Sequence, residues 1–137
     1  MVSTWQAVVP IRPGASIVLG CMLVATFNVM SWKDPDRMHQ IHQSLCKAHV
    51  IGCQGTRDRM QEEVCTASNV GQFHVIRWGY GSGKYTNRAA GVSVPLHKSY
   101  FGRSAKMRIF SPPAALQGRG GAVRIINGCT DVCAFSL

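Results

Sequence analysis

Between residues 21 and 137 the apolar positions fall into short runs whose spacing switches between strand and helix periods. "CMLVATFNV", residues 21–29, is a dense apolar run and is read as the first strand. After it, "SWKDPDRMHQIHQSLCKAH" offers Asp34 as an N-cap and Pro35 at the first helical position. Met38, Ile41, Leu45 and Ala48 then recur at three- and four-residue intervals, which predicts an amphipathic helix. That helix leads into Val50 to Cys53, a strand apolar enough for burial on both faces, so the chain opens with a βαβ pattern. Arg57 to Thr66 is read as a second, weaker helix. "FHVIRWGY" and "AAGVSVPL" are strand-like and are separated by the turn chemistry of "GSGKYTNR". "SPPAALQGRGG" is read as a loop, Ala122 to Ile126 as a strand, Asn127-Gly128 as a hairpin turn and Asp131 to Leu137 as its partner. Residues 1–16, with Pro10, Pro13 and Gly14, are read as a loose leader, and the domain as residues 21–137 with a leader over 1–20.

Composition makes the chain a single globular domain: 137 residues, 46% hydrophobic and 15% charged. The apolar run Ile17 to Ala25 is shorter than the ~20 residues a membrane span needs, and it has no small-x-small cleavage site. The expectation is therefore an intracellular protein of nucleus or cytoplasm, with no signal peptide and no membrane partner. The six cysteines, at 21, 46, 53, 65, 129 and 133, contain no Cys-x-x-Cys pair and are read as free thiols.

Charge is distributed unevenly. Residues 1–63 carry six Lys/Arg against five Asp/Glu, whereas residues 64–137 carry nine against Asp131 alone, for a net charge of +9. The nine cations are Arg77, Lys84, Arg88, Lys98, Arg103, Lys106, Arg108, Arg119 and Arg124, interleaved with Trp78, Tyr80, Tyr85, Tyr100 and Phe101. Such a stretch suits a polyanion such as DNA, with rings for stacking; a solvated basic face over core aromatics is the alternative. His39, His42, Cys46 and His49 line one stripe of the first helix, but four ligands spread over about 15 Å of one rigid rise do not converge on one ion. "GYGSGKYT" lacks the spacing of a phosphate loop and precedes strand-like residues rather than a helix, so it is not read as a nucleotide site.

"ATFNV", the amphipathic helix, "HVIGCQGTR", "NRAAGVSVPL" and "GRGGAVRIING…DVCAFSL" occur in an order and spacing that resembles the first half of an endonuclease/exonuclease/phosphatase domain. This is the deoxyribonuclease I-like superfamily, and the chain is most similar to the endonuclease of non-LTR retrotransposons. The resemblance implies an α+β fold, half of a four-layer α/β/β/α sandwich truncated within a strand, and phosphodiester hydrolysis with Mg²⁺. It implies a metal-binding Glu in a Gln-Glu-Thr motif at the end of the second strand, and an Asn in the first-strand motif. Asn28 matches that Asn, and Gln54, Gly55 and Thr56 fall on the motif with Gly55 at the metal ligand; Met30 stands where an acid or amide is frequent. The Tyr, Asp-x-Asn and Asp-His blocks of the family have no counterpart in these 137 residues. Since hydrolysis needs a metal, a base and leaving-group stabilisation, the chain is expected to be inactive alone, with no cofactor of its own. Non-catalytic binding of nucleic acid, and an interaction role in which an open sheet edge pairs with another copy or a partner strand, remain as alternatives. The second sheet is expected to have almost no residues, leaving Val123, Ile125, Val132, Ala134 and Phe135 poorly covered on one face.

Overall fold

A computed structural model describes residues 3–8, 21–31, 34–59, 65–81, 90–102, 105–128 and 130–137. The chain is α+β with two sheets. Strands β1 (Ser3–Val8), β2 (Cys21–Asn28), β3 (Val50–Gln54), β4 (Thr66–Val70), β5 (Phe73–Trp78) and β6 (Val92–His97) form a six-stranded sheet in the order β1-β2-β3-β6-β5-β4. Strands β7 (Lys106–Phe110), β8 (Gly121–Asn127) and β9 (Thr130–Ser136) form a second sheet in sequence order. Helix α1 (Pro35–Ser44) joins β2 to β3, whose parallel pairing requires such a crossover, and the short α2 (Lys98–Phe101) follows β6.

Local chemistry accounts for the elements that the apolar spacing predicts. The Asp34 Oδ1 accepts the Asp36 N–H at 3.0 Å as N-cap, and Pro35 opens α1, which ends at Ser44, one turn before the last apolar position of its stripe. Every residue of β3 from Val50 to Cys53 is buried, and so is all of β6, including Pro95. A proline inside a central strand has no N–H to donate. The β3–β6 ladder accordingly lapses opposite Ile51 and Gly52, between the Val50↔Leu96 and Cys53↔Ser93 pairs. The Asn127-Gly128 turn joins β8 to β9 as expected, with Gly128 at φ +54°.

Two apolar layers hold the chain. Ala25, Val29, Ile41, Ala48, Ile51, Cys53, Phe73 and Val75 pack between α1 and the first sheet. Met22, Val50, Ile76, Trp78, Val92, Val94, Leu96, Val123 and Ile125 pack between the two sheets. The strand period of two sends alternate residues of β2, β3, β5 and β6 into one layer or the other.

Four expectations are corrected. The second sheet is built: β7 and β8 pair antiparallel, β9 joins β8, and Val123 and Ile125 are fully buried against the first sheet. Phe135 does keep an exposed side chain, on the outer face. Ser3–Val8, read as part of a loose leader, is a strand paired with all of β2 from Cys21 to Thr26. Thr66, read as the end of a helix, starts β4, which turns at Gly71 into β5; Arg57–Arg59 are not helical, and residues 60–64 lie outside the described residues. Lys106–Phe110, whose sequence predicts no strand, forms β7: all five residues are exposed, so pairing to β8 rather than a buried apolar face holds them. The "GSGKYTNR" turn lies outside the described residues except for Gly81.

Candidate functional site

The parallel β2–β3 pair ends with Asn28 directly opposite Gln54, and the Val29 N–H donates to the Gln54 carbonyl at 2.9 Å. Register alone therefore brings the two motif segments together at the carboxyl ends of neighbouring strands. The Asn28 Oδ1 accepts the Met30 N–H at 3.2 Å, closing a turn in which Met30 has φ +61°. Gly55 has φ +68°, and a Cβ there would stand 2.8 Å from the Asn28 Oδ1. The glycine is thus a conformational requirement of this turn as well as a residue without a ligand atom, because any other side chain would be strained and would press on Asn28.

The motif is anchored from both sides. The Ser136 hydroxyl at the end of β9 donates to the Cys53 carbonyl at 3.1 Å and accepts from the Gln54 Nε2 at 3.4 Å, tying the second sheet to the end of β3. The Thr56 N–H donates to the Gly91 carbonyl at 3.0 Å, and a Cβ on Gly91 would overlap the Thr56 hydroxyl, so only glycine permits this approach.

On the α1 side of the same strand ends lies a polar cluster that the sequence did not disclose. The Arg77 Nη1 stands 4.0 Å from the Asp58 Oδ2, and the Arg77 Nη2 donates to the Ser68 hydroxyl at 3.4 Å. Burial pushes the Asp58 carboxyl up from its ordinary range, with the Arg77 guanidinium pulling it back down. The Thr56 and Ser93 hydroxyls, the Asp58 Oδ2 and the Arg77 Nε are all buried, and the Thr56 hydroxyl beside Asp58 adds to the pull of Arg77 on that carboxyl. The only signal in the sequence was Asp58 two residues after Thr56, and its partner Arg77 is far along the chain.

Mg²⁺, which the resemblance implies, does not fit these residues. Gly55 has no donor atom, the Gln54 Nε2 is directed at Ser136, and the Asn28 Oδ1 is already engaged by Met30. A small, hard cation that prefers six oxygens finds no carboxylate there. Among the described residues no three His, Cys, Asp or Glu side chains are grouped to hold a metal. The helix stripe points its members to different places. His42 is buried and stacks on Phe73 at 5.0 Å, whereas His49 stacks on Tyr100 at 3.9 Å and its Nδ1 accepts the Leu23 N–H at 3.0 Å. Burial, then His39, pushes His42 down to about 4, so its ring is neutral at pH 7. Cys46, Cys53, Cys65 and Cys133 are free thiols; burial pushes Cys53 up to about 12, which makes it a core atom rather than a nucleophile.

Of the nine cations of the second half, Lys84, Arg88 and Arg103 lie outside the described residues. Lys106 and Arg108 are exposed on β7 and share the outer face of the second sheet with Arg124, which lies directly opposite Arg108. Arg124 is engaged by Asp131, Nη2 to Oδ2 at 2.6 Å and Nε to Oδ1 at 2.8 Å, which raises the guanidinium above its usual value and offsets the like-charge pairing. Arg77 belongs to the Asp58 cluster on the α1 face, Lys98 sits at the opposite end of the first sheet, and Arg119 is exposed in the loop before β8. The fold therefore brings Lys106, Arg108 and Arg124 onto one face and separates Arg77 and Lys98 from them.

No helix among the described residues is long and apolar enough to cross a membrane. No protein-family profile, curated protein or solved structure matches this chain.

Proposed function

We propose that this chain is a non-catalytic relative of the Mg²⁺-dependent phosphodiester endonucleases of non-LTR retrotransposons, in the endonuclease/exonuclease/phosphatase superfamily. The observation that carries the reading is the in-register pairing of Asn28 with Gln54 at the carboxyl ends of two parallel strands, followed by Gly55 and Thr56. That juxtaposition is what a shared Asn and Gln-Glu-Thr pattern requires. The layer order of α1, first sheet and second sheet, three layers of an α/β/β/α sandwich, supports it. Loss of hydrolysis follows from chemistry: with Gly55 at the ligand position, the turn holds no metal to neutralise developing charge and none to activate water.

The test is plasmid nicking with Mg²⁺ or Mn²⁺. Neither the purified chain nor Gly55→Glu is expected to nick. The substitution forces a side chain at φ +68° against Asn28 and is expected to cost about 1–2 kcal/mol of stability in a denaturant titration. EDTA-sensitive cleavage by the chain or by a folded Gly55→Glu would overturn the reading.

The exposed Lys106 and Arg108 on the outer face of β7 favour a second reading, a basic module that binds DNA without cleaving it. Sequence-independent binding that weakens with a log-log salt slope of about −0.9 per phosphate contact, and that is lost on reversing both residues to Glu, would support it. Absence of binding at low salt would leave association with another protein chain as the role of the open sheet edges.

A further inference from the structure

At the end of the first sheet remote from Asn28 and Gly55, the face that meets the second sheet changes character. Ile76 and Trp78 of β5 pack between the sheets, but the next residue of that row, His74, is only half-buried. It faces Asn69 across the β4–β5 ladder, with the His74 Nδ1 3.2 Å from the Asn69 Oδ1. The inner face of a two-sheet sandwich is ordinarily apolar, so this polar pair is not explained by packing. Above it, β7 overhangs. Met107 shares a face with the fully buried Ile125, yet it remains 42% exposed.

The space between is a cleft of about 580 Å³, bordered by Asn69, His74, His97, Lys98, Phe101 and Met107. Among the described residues that line it, Lys98 is the one cation, His74 offers an imidazole from the inter-sheet row, and there is no carboxylate. The Lys98 Nζ donates to the Gly71 carbonyl at 2.9 Å, which holds the ammonium at the rim with further protons to donate. The His97 Nδ1 lies 2.8 Å from the Ser99 hydroxyl, which orients that ring, and the ring is otherwise buried edge-on to Phe73. Phe101, Leu96 and Ala105 supply an apolar wall. A cleft between about 300 and 1,000 Å³ with an apolar wall and a few convergent polar groups has the build of a small-ligand site. One sign of charge against a low-dielectric wall concentrates anions.

We propose that this cleft binds a small organic phosphate with a flat, apolar body, of mononucleotide size. The phosphate lies toward Lys98 and the His74–Asn69 pair, and the body lies against Phe101 and Met107. The proposal does not rest on the nuclease resemblance, whose residues are at the other end of the sheet.

The test is calorimetric titration of the full chain with AMP, adenosine and inorganic phosphate. AMP is expected to bind at least about tenfold more tightly than either fragment. Lys98→Glu is expected to weaken AMP at least about tenfold, and Met107→Trp, which fills the cleft without changing charge, to abolish binding. Lys106→Glu, one residue from Met107 but on the outer face, is expected to leave affinity unchanged; circular dichroism checks that each variant is folded. AMP that fails to bind at millimolar concentration would overturn the proposal. So would equal affinity for adenosine, or equal weakening by Lys98→Glu and Lys106→Glu, since the last is the mark of unspecific charge attraction. If Lys98→Glu does not fold, Met107→Trp decides alone: unchanged AMP binding by it overturns the proposal.

Discussion

The two sheets of this protein live in different surroundings. The first is covered by α1 on one face and by the second sheet on the other, so β3 and β6 are buried almost throughout. The second has one covered face. Val123 and Ile125 of β8 are fully buried, β9 alternates, and every residue of β7 is exposed. Phe110, Ala122 and Phe135 form a row across its outer face, where Phe110 is 50% and Phe135 68% exposed. The difference teaches that the second sheet is stabilised chiefly through its middle strand. Of its flanking strands, β7 is held by ladder hydrogen bonds, whereas β9 also packs Val132 and Ala134 on the core and sets Ser136 on the Cys53 carbonyl; each borders a cleft. Under β7 lies the polar cleft with His74 and Lys98; beside β9 lies an apolar one of about 260 Å³ bordered by Met22, Val24, Val50, Val132 and Phe135.

Truncation of equivalent side chains breaks or sharpens this contrast most directly. Ile51→Ala, in a fully buried strand of the first sheet, is expected to cost about 2–5 kcal/mol in a urea titration, because the cavity it leaves has little room to collapse. Ile109→Ala, on the overhanging β7, is expected to cost under about 1 kcal/mol. Equal costs would mean that β7 is as deeply packed as β3.

A smaller effect comes from His42, which ties α1 to Phe73 on the first sheet. Its folded value of about 4 lies below the ordinary 6.5, so the unfolded chain takes up a proton that the folded chain refuses. The stability this burial allows is complete above pH 6.5 and is lost as pH falls from there toward 4, by about 2–3 kcal/mol. Denaturant midpoints measured across that window should fall for the native chain and stay flatter for His42→Leu. No difference between the two would show that the ring is not buried in solution.

The smallest change in stability is expected at the outer face of the second sheet. Phe135→Ser should shift unfolding by no more than about 0.5 kcal/mol, yet it should lower binding of a hydrophobic dye, since the ring is exposed in the native state. A destabilisation of several kcal/mol would reveal that this face is covered, by another copy or by chain outside the described residues.

What could be read from the sequence was local. The Asp34-Pro35 start of α1, the buried run of β3 and the Asn127-Gly128 hairpin each carry their cause within a few residues, through capping, apolar continuity and turn chemistry. The candidate site is legible in the sequence as a set of positions, Asn28 and Gln54-Gly55-Thr56, without their pairing. Their meeting depends on the parallel register of β2 with β3, set by a crossover through α1, and the left-handed turn that makes Gly55 a requirement rather than a mere loss appears only at that meeting. Strands β1, β4 and β7 escape a sequence reading because their short runs carry no dense apolar stretch and are ordered by a neighbour's ladder. The dispersal of Arg77, Lys98 and Lys106 over three surfaces, and the burial of Asp58 beside Arg77, were likewise decided in three dimensions. Charge along a chain says how many cations there are; which of them share a face depends on strand order and pleat, and those are settled by packing between segments far apart in sequence.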